Sequence, residues 1–214
     1  KKSYSIKGLD KKLVSQIKKQ IGNEAVIMGV SGGVDSLVAS VLLRKATPNV
    51  YCVFVDHGLI RKGEREEVAE LYQKLGFKHF YIVDAAKLFL NNLRGVNDPE
   101  KKRKIIGNMF IKMFEKKVDE LRKHHAIKFL GQGTIYPDRI ESAKSSKQAS
   151  VIKTHHNVGG LPERMKLKLV EPLKDLYKDE VREVGKLLGI KSRYLERHPF
   201  PGPGLAVRII GSIT

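Results

Sequence analysis

Leu9, Leu13, Ile17 and Ile21 recur every fourth residue, which predicts a helix from about residue 8 to 21 with one apolar face. The run Ala25-Val26-Ile27-Met28-Gly29-Val30 is short, apolar and suited to a buried strand, and residues 34–45 return to a helical pattern. A second buried strand over 51–55 ends at Asp56-His57-Gly58. A charged helix is predicted over 62–75, closed by the terminator Gly76, with a third strand over 80–83. Asp98-Pro99 opens a long helix, an aspartate cap followed by proline in the first turn, whose apolar stripe extends from Ile105 to Leu121. Residues 127–130 form a fourth strand, and residues 175–188 a further helix stopped by Gly189. Strands alternating with helices predict parallel βαβ units with right-handed crossovers. The expected fold is therefore α/β: an open, mostly parallel sheet flanked by helices in three Rossmann-like layers. Ligands of such sheets bind beyond the carboxyl ends of the strands, beside a switch in strand order.

Composition narrows the function. Of 214 residues, 41% are hydrophobic and 30% charged, a globular balance for one large domain or two small ones. No apolar run approaches the roughly 18 residues that would span a bilayer. The single cysteine, Cys52, lies inside an apolar strand and has no internal partner for a disulfide; a reducing compartment and a soluble cytoplasmic protein are expected. Forty-one Lys and Arg against 23 Asp and Glu leave a net charge of +18. Such an excess attracts polyanions, either nucleic acid or phosphorylated small molecules. Only 7% of residues are aromatic and Trp is absent, which weighs against base stacking and makes a nucleic-acid partner the lesser expectation.

The segment after the first strand carries the chemistry. Ser31-Gly32-Gly33-Val34-Asp35-Ser36 joins that strand to a helix. Paired glycines let the backbone curl close to an anion, Ser31 and Ser36 add hydroxyls, and the helix amino terminus adds partial positive charge. Neither G-x-x-x-x-G-K-[ST] nor G-x-G-x-x-G fits the segment. Asp35 would repel phosphate unless a cation bridged them, so Mg2+ held between Asp35 and phosphate oxygens is expected.

This S-G-G-V-D-S hexapeptide resembles the pyrophosphate loop of the ATP pyrophosphatases, which release pyrophosphate and leave an adenylated substrate. Three further stretches resemble the GMP synthetases within that family: 131–142 (GQGTIYPDRIES), 152–162 (IKTHHNVGGLP) and 198–205 (HPFPGPGL). The segments 53–56 and 98–107 resemble them too. The resemblance implies an adenine nucleotide alpha-hydrolase-like fold and ATP-dependent amination of xanthosine monophosphate (XMP) to GMP through adenyl-XMP. It implies ATP and pyrophosphate contacts at Gly29, Val30, Ser31, Gly32, Gly33, Val34, Asp35, Ser36, Val55 and Gly133, and an XMP contact at Arg103. Asp138 and Glu141, with Lys153, His155 and His156, are implied to support adenylate formation, beneath a lid loop near 138–162 hinged at Gly159-Gly160.

Read on their own, several of these residues have plainer meanings. His155 and His156 read as exposed loop histidines, Asp138 after Pro137 as a turn stabiliser and Glu141 as a surface acid. Arg103 lies in a basic run that suits a solvated face. The expected organisation is an N-terminal helical segment over 1–22, an ATP pyrophosphatase domain over 23–195, and a linker over 196–214 towards a C-terminal dimerisation domain. Ammonia is expected from a glutamine amidotransferase domain or subunit outside these residues, and a homodimer in the full-length protein. The 214 residues alone are expected to bind ATP but to be impaired in XMP amination. A tRNA-modifying adenylase and an NAD synthetase are the competing readings. The lone Cys52 is awkward for the first, and the His155-His156 lid for the second.

Overall fold

The computed structural model describes residues 6–145, 165–198 and 202–213, with residues 142–145 described by their backbone. Five parallel strands lie in the order β3-β2-β1-β4-β5: β1 (Ala25–Val30), β2 (Val50–Asp56), β3 (His79–Asp84), β4 (Ile127–Gly131) and β5 (Lys168–Val170). β1 is central, with β2 and β3 on one side of it and β4 and β5 on the other. The switch in strand order therefore lies between β1 and β4, where such sheets open a crevice.

Helices cover both faces, as the α/β reading requires. On one face α1 (Leu9–Ile21), α2 (Val34–Ala46), α3 (Glu64–Lys74) and α7 (Lys178–Leu187) pack with Val26, Met28, Cys52 and Phe54. On the other, α4 (Ala86–Leu93) and α5 (Pro99–Arg122) pack with Ile27, Tyr51, Val53 and Val55. β2 is buried along its whole length, so its continuous apolar run, VYCVFV, is what a strand covered on both sides demands. Burial also pushes the Cys52 thiol well above its usual range, consistent with an inert packing role.

Particular contacts fix the segments at the edges of this body. α1 belongs to the helical layer: Ile17 and Ile21 are buried, and the Gln20 amide donates to Leu169 O at 2.9 Å. α6 (Tyr136–Ser145) occupies the first part of the expected lid loop. α7 begins at Lys178 rather than Asp175, because the Glu180 carboxylate turns back to accept the Tyr177 amide at 2.7 Å and fixes the cap there. Residues 202–213 pack onto the body as a strap, including a short 3-10 turn over Gly204–Arg208. Asp98 caps α5 as expected, its Oδ1 accepting the Lys101 amide at 2.6 Å.

Candidate active site

Ser31, Gly32 and Gly33 leave the end of β1 and turn directly into α2, whose first turn holds Val34, Asp35 and Ser36. The turn is held by its own serines. Ser31 Oγ and Ser36 Oγ lie 3.1 Å apart, Ser31 Oγ accepts the Gly33 amide at 3.2 Å, and Ser36 Oγ accepts the Ser31 amide at 3.2 Å. Among the described residues no side chain caps α2, and a helix cannot satisfy its leading amides internally, so these amides suit an anion. Val30 and Val34 bury their side chains, and with Gly29 they offer the crevice backbone only.

Gly32 is pressed from behind: an added Cβ would lie 2.0 Å from Glu64 Oε1. Glu64 is itself buried and its Oε2 accepts the Arg61 amide at 3.0 Å. Arg197 braces the same turn, donating to Gly32 O at 3.4 Å while paired with Glu67. Across the switch point, Gly133 lies against the Asp35–Ser36 peptide, where a Cβ would meet Ser36 N at 3.2 Å. Thr134 beside it is buried, and its hydroxyl has no hydrogen-bond partner among the described residues.

Asp35 faces Lys178, whose Nζ lies 2.7 Å from Oδ1 and 2.6 Å from Oδ2. A lysine in the first turn of a helix runs against the macrodipole, and that mismatch was the one signal for Lys178 in the sequence. Among the described residues no group of three or more His, Cys, Asp or Glu could hold a metal unaided. A single carboxylate amid hydroxyls nonetheless fits Mg2+, which takes oxygen ligands and draws several from the phosphates it accompanies.

The second strand contributes from the side. β2 pairs with β1 up to Phe54 and continues through Val55 to Asp56, so its end overhangs the crevice. Asp56 is buried, caps the turn by accepting the Gly58 amide at 2.9 Å, and receives Arg65 at 3.2 Å. The same guanidinium donates to Asp84 at 2.8 Å and holds that carboxyl below the usual range. His57 is buried, with Nδ1 accepting the Leu59 amide at 3.2 Å. Burial drives its pKa down, against the opposing pull of Asp56, Glu64 and the Gly202 backbone.

Asp138 lies in the first turn of α6, where its Oδ2 accepts the Ile135 amide at 3.0 Å, the turn-stabilising job its position after Pro137 suggested. Glu141, one turn further, is exposed. α6 is tied towards the loop by the Tyr136 amide on Leu176 O at 2.9 Å and by Arg139 on Asp175 at 2.6 Å. Arg103 lies in the opening turns of α5, half-exposed, 3.2 Å from Glu100. Lys153, His155, His156, Gly159 and Gly160 lie outside the described residues, as do Pro199, Phe200 and Pro201. The structure thus gathers the residues from 29 to 36 with Gly133 and the overhanging end of β2, adds Lys178, Arg197 and Glu64, and leaves Glu141 exposed on α6 and Arg103 half-exposed on α5.

The NAD synthase family model matches residues 6–109, which carry the phosphate loop and the first three strands. Over all 214 residues the chain is 58% identical to GMP synthase [glutamine-hydrolyzing] of Thermotoga maritima, and over 202 residues 56% identical to that of Cytophaga hutchinsonii. It spans 42% and 39% of the length of those two relatives, and 100% and 94% of its own. An NMN synthetase structure from Francisella tularensis superposes with a TM-score of 0.68 at 17% identity, over 94% of this chain and 78% of that one; it shares the fold.

Proposed function

We propose, for a chain that belongs to the PP-loop ATP pyrophosphatase family, that it carries the synthetase step converting XMP to GMP. The observation that carries this reading is the match to GMP synthases along the entire chain, well beyond the phosphate loop shared with NAD synthases. The geometry supports it. The C2 oxygen of XMP attacks the α-phosphorus of ATP, the bond from that phosphorus to the bridging oxygen breaks, and pyrophosphate leaves. Ammonia then adds at C2, the C2–O bond breaks, and AMP departs with the oxygen.

Pyrophosphate is the more highly charged leaving group, and the serine-glycine turn at the α2 amino terminus is the anion cradle for it. Lys178 would meet a phosphate oxygen, and Asp35 would hold Mg2+ together with the triphosphate. A magnesium ion held there would supply charge neutralisation of the triphosphate. The overhanging end of β2 at Val55 suits the adenine, whose edge is read by backbone groups. Arg103 receives the monophosphate of XMP. Asp138, Glu141, Lys153, His155 and His156 assist adenylate formation. Lys153 neutralises charge on the transferring phosphorus, where a fixed cation is most useful. Ammonia comes from a glutamine amidotransferase domain or subunit, the working protein is a homodimer, and it acts in the cytoplasm. No described helix is long and apolar enough to cross a membrane.

Product analysis tests the proposal. With XMP, ATP, Mg2+ and ammonium, the complete protein is expected to release AMP and pyrophosphate in step with GMP. Formation of ADP rejects the reaction. Release of AMP with deamido-NAD and none with XMP rejects the substrate and favours the NAD synthetase reading.

A further inference from the structure

Lys102 is an anomaly outside the crevice. Its side chain is fully buried, yet its partners among the described residues are uncharged: Nζ donates to Ile209 O at 2.8 Å and to Gly211 O at 2.7 Å. Taking an ammonium out of water is costly, and two neutral carbonyls return only part of that cost. A methionine or leucine would fill the same space without the cost. What the ammonium adds is geometry, because gathering two carbonyls from residues so close in sequence forces the backbone between them to curl around the nitrogen.

That backbone is the middle of the strap over 202–213. Near its start Gly204 adopts φ +68°, and an added Cβ would lie 2.2 Å from Leu59 O and 2.8 Å from His57 Cε1. The next amide, of Leu205, donates to Leu59 O at 2.8 Å. Ala206 is buried against the body, and near the far end the Gly95 amide donates to Ile213 O at 2.9 Å. The strap therefore runs from the overhanging end of β2, across the opening turns of α5, to the loop after α4. Its central fastening, Lys102, is adjacent to Arg103.

We propose that Lys102 is a positioning residue: by binding Ile209 O and Gly211 O it locks the strap onto α5 and so fixes Arg103 relative to the nucleotide end of β2. The functional half of this statement rests on the acceptor role given to Arg103 under the proposed reaction. α5 is 24 residues long and keeps Phe114, Val118 and Leu121 buried beyond the strap, so removing the ammonium loosens its first turns while the rest of the helix stays docked.

Lys102→Met, similar in length and uncharged, tests this in the complete protein. Amides of 205–213 are expected to exchange about tenfold faster while those of β1, β2 and β4 keep their protection. KM for XMP is expected to rise about tenfold, with KM for ATP within about twofold and kcat little changed. Gly204→Ala releases the strap from its other end and should give the same signature. Because both variants loosen one element, the double variant should be no worse than the stronger single one. If Lys102→Met does not fold, Gly204→Ala decides alone, and an unchanged KM for XMP there overturns the proposal. A loosened strap with unchanged KM for XMP, or equal losses for XMP and ATP, also overturns it. Arg103→Ala separates the two ideas. An unchanged KM for XMP in that variant rejects the acceptor role of Arg103; a raised one, beside an unchanged value in Lys102→Met, rejects the clamp.

Discussion

Lys178 Nζ grips both carboxylate oxygens of Asp35, at 2.7 and 2.6 Å, across 143 residues of sequence. The contact joins the first turn of α7 to the first turn of α2 at the mouth of the phosphate loop. It is possible because the two helices approach closely at Gly185, where an added Cβ would lie 3.2 Å from Val38 Cγ2 and 2.4 Å from Leu195 Cδ2. Under the proposed function, a phosphate arriving at the loop would meet an ammonium already in place, and Asp35 would become available to a metal.

Lys178→Met should therefore separate binding from stability. Both side chains of the pair are about one-third exposed, and ion pairs of that kind contribute roughly 0–1 kcal/mol, so the melting temperature should barely move. Loss of a cation aimed at phosphate should weaken Mg·ATP binding about tenfold or more, equivalent to about 1.4 kcal/mol. Calorimetric titration of both proteins checks this, and equal affinities would remove Lys178 from the site.

Asp35 is expected to carry the metal dependence. Titrations with ATP in the presence and absence of Mg2+ should differ clearly in the unmodified protein and converge in Asp35→Ala. Because that variant also frees Lys178, its metal-free ATP affinity should not fall and is expected to rise slightly. Magnesium stimulation that survives the substitution would place the ion elsewhere.

At Gly32 the prediction is steric. Alanine there would put a methyl 2.0 Å from Glu64 Oε1, with Arg197 Nη1 at 3.1 Å on the same side. Overpacking of this kind costs about 1–3 kcal/mol and should displace the turn, with ATP binding lost beyond detection. Gly32→Ala combined with Glu64→Ala should recover part of the stability, because the clash is shared between the two positions. Strictly additive losses in urea titrations would contradict the contact.

These residues also mark how far the sequence could be read. β1, β2 and β3, α2 and α5 were legible because each carries an unambiguous apolar period or, at Asp98-Pro99, an explicit start signal. α6 was not, since of its own residues only the exposed Ile140 is strongly apolar, and its start rests on the Asp138 cap and the Tyr136–Leu176 hydrogen bond. β5 has three residues, too few to show a period. The phosphate loop was legible because its chemistry is contiguous. Lys178, Arg197 and Glu64 were not, since each reaches the loop only through the packing of a distant helix or turn.

Asp138 has two candidate jobs that one pair of variants can separate. As a cap, it accepts the Ile135 amide, and Asn retains such an acceptor while Ala does not. Asp138→Ala should cost about 1 kcal/mol of stability and Asp138→Asn much less. If the negative charge also serves adenylate formation, both variants should lose turnover together despite their different stabilities. Normal turnover in Asp138→Asn would leave only the cap.

The pH dependence of stability follows from His57 and His79. Burial lowers the pKa of His57 more than Asp56, Glu64 and the Gly202 backbone raise it, and burial with His125 and Lys78 lowers that of His79. Both rings therefore stay neutral in the folded protein at pH values where the unfolded chain, with histidine pKa near about 6.5, already takes up protons. In that window the unfolded state binds more protons, so stability rises with pH. The contribution is complete above the unfolded value and is lost as pH falls below it towards the folded ones. Urea midpoints should accordingly fall between about pH 7.5 and 5.5, a window above the one in which Asp84, held down by Arg65, begins to protonate. His57→Asn keeps an acceptor for the Leu59 amide without the titration, so its midpoint should fall less, and adding His79→Gln should flatten the slope further. As pH falls through the lowered folded value of His57, the strap amides near Gly204 should lose protection before those of β1, because a protonated His57 can no longer accept from Leu59. A midpoint that rises on acidification in the unmodified protein would mean that the carboxylates, and not burial, govern these rings.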